Sequence, residues 1–131
     1  INDTLGHAAG DQALQHLANL LREQARPMDT VGRYGGEEFV LIMPEVGLSE
    51  AVGIAEQFRC LVECTPVPLE PEEWPLTVSV GVATFEGVGG PFRVASHLIQ
   101  AADKATYAAK HAGRNTVRVF APKAHKPSAA G

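Results

Sequence analysis

Leu14, Leu17, Ala18, Leu21 and Ala25 recur at three- and four-residue intervals, which predicts a helix with one apolar face. Asp11 precedes that run and is placed to cap the helix, and Pro27 marks its end. A short extended run around Thr30 to Tyr34 follows, then Gly35-Gly36, then Phe39-Val40-Leu41-Ile42-Met43. Two extended runs around a glycine pair predict a β-hairpin, and the uniformly apolar second run predicts a strand covered on both faces. Ser49 is placed to cap a second helix, whose buried face comprises Ala51, Ile54, Ala55, Phe58, Leu61 and Val62. Residues 65–75 hold four prolines and three acids and predict a loop. Leu76, Val78, Val80 and Val82 alternate with Thr77, Ser79, Gly81 and Ala83, the period of a strand with one packed face. A glycine-rich turn at 87–91, an alanine-rich helix over 93–112 stopped by Gly113, and a strand over Val117-Arg118-Val119-Phe120 complete the pattern.

The order helix, strand, strand, helix, strand, helix, strand predicts an α/β (α+β) fold, a central mixed sheet with an antiparallel hairpin, wrapped by helices. The hairpin argues against a purely parallel dinucleotide-binding sheet. One domain over 1–120 is expected, with a mobile, aperiodic tail over 121–131. The net charge of −4 argues against a broad basic surface for nucleic acid or an anionic membrane. A small phosphorylated ligand needs only a few local cations. No apolar run approaches the ~18 residues of a membrane span, and no secretory leader is legible. Cys60 and Cys64, four apart in a helical pattern, read as free thiols in a reducing cytoplasm. The chain opens on Ile1 inside a polar, turn-like segment and reads as part of a longer protein.

Four groups of residues could carry chemistry. Gly35-Gly36-Glu37-Glu38 offers bare backbone and two hard oxygen ligands suited to Mg²⁺, or is a solvated turn. Neighbouring strand side chains point to opposite faces, so Glu37 and Glu38 are expected to do different jobs. Lys110 and Arg114, near the end of one helix, could grip one phosphate chain or merely complement the helix dipole. Arg26 and Asp29 are three apart and read alone as a surface ion pair. Asn2 and Asp11 flank a glycine-containing turn, where an amide and a carboxylate could read a guanine edge or serve as turn residue and cap.

In combination, residues 1–11, the run Arg33-Tyr34-Gly35-Gly36-Glu37-Glu38-Phe39, residues 78–83 and residues 102–115 resemble the GGDEF family of diguanylate cyclases. The resemblance runs from residue 1 to about residue 120, with all four stretches in order. It implies a palm-like nucleotidyl cyclase fold that condenses two GTP into cyclic di-GMP and two pyrophosphates. Each domain would hold one GTP, and two would face each other in a homodimer with Mg²⁺ (or Mn²⁺).

By position, the resemblance makes Glu37 the catalytic and metal-binding acid, where many members have Asp. It makes Gly35 and Gly36 the backbone that approaches the phosphates, Asn2 and Asp11 the guanine contacts, and Lys110 and Arg114 the terminal phosphate contacts. Arg26 and Asp29 match an RxxD inhibitory site for the product. Some members add an arginine in the following helix, where this chain has Gln57. The family also carries an Asp-bearing strand upstream of the position of Ile1, which supplies a second acidic metal ligand. Residues 1–131 alone are therefore expected to be far slower than a domain that includes it. The runner-up reading is a non-catalytic domain that binds cyclic di-GMP or GTP as a regulatory module.

Overall fold

The computed structural model describes residues 7–70, 72–85 and 95–120. The turn around Asn2, the glycine-rich segment at 87–91 and the tail 121–131 lie outside the described residues. The elements follow in the expected order: α1 (His7–Gln24), β1 (Thr30–Arg33), β2 (Phe39–Ile42), α2 (Leu48–Glu63), β3 (Val80–Val82), α3 (Ala95–His111) and β4 (Val117–Val119).

Both anticipated caps are displaced. Helix α1 extends back to His7, so Asp11 lies on its exposed surface inside the helix rather than at its start. The residues ahead of Asp11 include Ala8 and Ala9, which favour helix, and Gly10 costs only ~1 kcal/mol against that. Helix α2 starts at Leu48, with Gly47 in extended conformation as its cap and no side-chain capping bond. Ser49 is thus within the first turn. The chain has already reversed at Glu45, where φ is 61°, which fixes the helix start ahead of Ser49.

The mixed α/β class and the antiparallel hairpin hold, but the described strands form two two-stranded sheets rather than one continuous sheet. β1 and β2 pair antiparallel, with Thr30 opposite Ile42 and Arg33 opposite Phe39. β2 is not covered on both faces as expected: its residues are half-buried and Ile42 is 45% exposed. An apolar run states which residues can be buried, whereas double burial also needs neighbours on both sides. Among the described residues β2 has β1 alone as a strand partner.

β3 and β4 pair parallel, Val80 against Val117 and Val82 against Val119, with α3 as the crossover between them. The alternation at 76–79 does not become ladder, because β4 offers only three residues to pair with. In the proline-rich loop the backbones of Val67 and Trp74 form a bridge and exchange hydrogen bonds of 2.8 and 2.9 Å.

Packing is set by small residues. Ala101, Ala105 and Ala109 line the buried face of α3 at four-residue spacing. Beneath the helix, a Cβ at Gly81 would collide with the Ala102 carbonyl and with the backbone nitrogen and hydroxyl of Thr106. Glycine here is the condition for β3 and α3 to touch. On the other side, Ala51 and Ala55 of α2 pack on Val82, with Met43, Val80 and Val117 around them. The His16 ring joins α1 to the end of α2 through the Thr65 carbonyl at 2.8 Å. Cys60 and Cys64 are free thiols. No helix among the described residues is long and apolar enough to cross a membrane.

Candidate functional site

The hairpin turn is closed by its own backbone. Tyr34 and Gly35 N–H groups both donate to the Glu38 carbonyl, at 2.8 and 3.3 Å. Arg33 braces the turn from outside: its Nε donates to the Gly35 carbonyl at 3.3 Å and its Nη2 to the Gly36 carbonyl. The same guanidinium lies 5.7 Å from the centre of the Phe39 ring, within cation–π range. The turn needs no left-handed residue, since neither Gly35 nor Gly36 has a positive φ. What glycine provides is open space, because a Cβ on Gly36 would meet no atom within 4 Å. The Gly36 and Glu37 amides join none of the turn's backbone hydrogen bonds, so two donors sit on a bare, accessible tip.

Glu37 is exposed at this tip, whereas Glu38 is half-buried and turned toward α3. Its Oε2 lies 3.6 Å from Lys110 Nζ. The two acids have different surroundings, although both lie in the turn between β1 and β2 and not on a strand. Among the described residues no three acidic, histidine or cysteine side chains gather to form a metal cage. The protein share of a Mg²⁺ site bound through phosphates is one or two carboxylates, and the exposed Glu37 fits that smaller role.

Lys110 and Arg114 converge as the sequence suggested. Together with Tyr107, His111 and Gly113 they line a cavity of about 550 Å³ at the end of α3. The helix ends in a Schellman arrangement: Gly113 has φ 110° and the Arg114 N–H donates to the Ala109 carbonyl at 3.0 Å. Arg114 and Asn115 are also left-handed, with φ 64° and 47°. That conformation costs a residue with a Cβ ~1–2 kcal/mol, so neighbouring contacts must hold it.

Asp11 lines a second cavity, of about 350 Å³, between α1 and the hairpin. Leu14 and Arg22 share its helical wall, and Val31, Arg33 and Phe39 form the other. The hairpin thus borders one cavity with its strands and reaches the other through Glu38. Sequence reasoning quoted Leu14, Arg33 and Phe39 but assigned none of them to this cavity. Their signal was position: Leu14 follows Asp11 by one turn of α1, and the other two flank the turn directly.

Arg26 and Asp29 form more than a solvated surface pair. The Asp29 side chain is 2% exposed and receives Arg26 Nε at 3.0 Å, Nη2 at 2.8 Å and the Arg26 backbone N–H at 2.8 Å. Arg26 Nη2 also donates to the Pro44 carbonyl at 2.8 Å, which ties this turn to the end of β2. Hydrogen bonding from Arg26, offset partly by burial, holds the Asp29 carboxylate below its ordinary range. The Arg26 side chain remains 36% exposed and can offer an outward edge.

Residues 1–116 match the family described as diguanylate cyclase, GGDEF domain. The chain belongs to the GGDEF family. This GGDEF chain is 38% identical over 117 residues to diguanylate cyclase A of Treponema denticola, covering 89% of this chain and 31% of that protein. It is 41% identical over 119 residues to the response regulator PleD of Caulobacter vibrioides, covering 89% and 26% respectively. It therefore spans about a third or less of these curated relatives. Among solved structures it superposes on the GGDEF domain of DgcB from Caulobacter crescentus in complex with c-di-GMP. That match has a TM-score of 0.81 at 34% identity and covers 91% of this chain and 67% of that one. The active GGEEF domain of a diguanylate cyclase from Vibrio cholerae gives 0.81 at 29% identity, covering 94% and 76%.

Proposed function

We propose that this chain is the substrate-holding part of a cytoplasmic diguanylate cyclase that condenses two GTP into cyclic di-GMP and two pyrophosphates. The observation that carries this reading is the hairpin between two cavities, one containing Asp11 and the other Lys110 and Arg114. A guanine fits the first, where the Asp11 carboxylate accepts from its N–H groups and Leu14 and Phe39 supply apolar walls. A triphosphate fits the second, where Lys110 offers a point charge and Arg114 a planar fork. The bare tip at Gly36 and Glu37 adds backbone donors between them.

Glu37 would hold Mg²⁺ (or Mn²⁺) together with an acid upstream of Ile1. The ion's chemistry there is to offset phosphate charge. The side chains of this chain bind and orient: the base end is fixed by α1, and the phosphate end by α3. Condensation of two GTP then needs a second copy facing the first, so that one ribose 3′-hydroxyl attacks the other α-phosphorus and pyrophosphate leaves. The two sites together form one catalytic centre, which is why a homodimer is proposed.

Product inhibition through Arg26 and Asp29 belongs to the same proposal. The exposed edge of Arg26 supports it, and Asp29 is positioned to keep that edge fixed. The test is cyclic di-GMP formation from GTP by the complete domain with Mg²⁺ or Mn²⁺. Binding of GTP or cyclic di-GMP without turnover would instead assign a regulatory module.

A further inference from the structure

Arg114 occupies a left-handed turn that its own side chain does not stabilise, and its neighbour Asn115 is anchored from a distant helix. The Asn115 carboxamide is used at both ends: Oδ1 accepts from Arg59 Nη1 at 3.0 Å and Nδ2 donates to Glu63 Oε2 at 2.9 Å. Arg59 is in turn fixed on α2. Its Nε and Nη2 meet the two carboxylate oxygens of Glu56 at 3.0 and 2.6 Å, and its Nη1 meets Glu63 Oε1 at 3.2 Å. The Arg59 side chain is only 16% exposed, although its carboxylate partners are half-exposed. Hydrogen bonding to Glu56 raises the affinity of Arg59 for its proton and lowers that of Glu56, so both stay charged. A single exposed ion pair contributes little, but three side chains, Glu56, Glu63 and Asn115, sharing one guanidinium form a rigid bracket.

We infer that Arg59, with Glu63 and Asn115, is a positioning device for Arg114, setting the angle at which its guanidinium enters the 550 Å³ cavity beside Lys110. This inference rests on the nucleotide reading of that cavity. The chemistry agrees with it: a bidentate fork works only at a fixed angle, whereas a lysine adapts. The bracket therefore serves the residue with the stricter geometry. It also connects α2 to the phosphate end of the site without touching the ligand.

Two measurements on the complete domain test this. Hydrogen exchange at the Arg114 amide should quicken at least tenfold in Arg59→Gln, while exchange in α1 stays unchanged. GTP affinity, by calorimetry, should fall about fivefold (~1 kcal/mol), and GMP affinity should hold within twofold. In an Arg114→Ala background, Arg59→Gln should cost no further GTP affinity. An equal additional loss in that background, or unchanged Arg114 exchange, overturns the positioning role. If the wild type binds no GTP at all, the nucleotide reading fails, and the exchange result alone decides whether the bracket orders Arg114.

Discussion

Glu38 Oε2 and Lys110 Nζ lie 3.6 Å apart and join the hairpin turn to the last turn of α3. Both side chains are about one-third exposed, so solvent screens the pair and it contributes under ~1 kcal/mol to stability. It bridges the hairpin turn and the cavity lined by Lys110 and Arg114, the proposed phosphate site, so its expected role is spacing. Glu38→Gln should therefore leave the melting temperature within a few degrees and lower cyclic di-GMP formation by ~10-fold, about 1.4 kcal/mol. Parallel assays of melting and turnover check this, and a large melting shift with unchanged turnover contradicts it.

Glu37 should behave differently, because it is exposed at the tip and has no ion-pair partner among the described residues. Glu37→Gln preserves shape and removes one negative charge beside the proposed phosphate position. Turnover should drop ~100-fold, roughly 3 kcal/mol of transition-state stabilisation, with folding almost unaffected. Near wild-type turnover in this variant would remove the hairpin from the catalytic assignment.

Gly81→Ala tests the fold rather than the site. The added methyl meets the Ala102 carbonyl and the Thr106 backbone, which cannot rotate away as a side chain would. We expect a loss of at least ~2 kcal/mol, at the upper part of the overpacking range. Urea unfolding measures it, and a midpoint equal to that of the wild type would mean that β3 and α3 are not this close.

The Arg26–Asp29 pair predicts a pH dependence with a definite sign. The Asp29 carboxylate is held below its ordinary value of 3.8, first by the Arg26 hydrogen bond. Its contribution to stability is therefore fully present above about pH 4 and is lost as pH falls through the lowered native value. Asp29→Asn should melt below the wild type at neutral pH, and the gap should narrow only in strong acid. A constant gap down to the acid limit would show that Asp29 acts through shape and not charge.

Arg26→Ala should weaken cyclic di-GMP binding by ~10-fold, the worth of a charge-assisted hydrogen bond, while GTP affinity is retained. Calorimetry with both nucleotides separates the two. Loss of both together would mean that the variant disturbs the Pro44 contact and the fold, rather than a product site.

The sequence by itself determined the order of elements, the hairpin, the stop at Gly113 and the family. These depend on period, on glycine and proline, and on motifs read along the chain, all of which are local. It did not determine where helices begin or how strands join. Asp11 and Ser49 look like caps but lie inside their helices, because a cap depends on where the preceding chain turns. The apolar run in β2 promised double burial, yet burial requires neighbours that a run cannot name. Only the tertiary structure turned Glu38 toward Lys110, placed Asp11 in a cavity with Phe39, and brought Arg59 to Asn115. Each of these joins segments distant in the chain, and no local pattern fixes such a distance; Gly81 shows the same where β3 meets α3, since a side chain there would collide with the helix backbone.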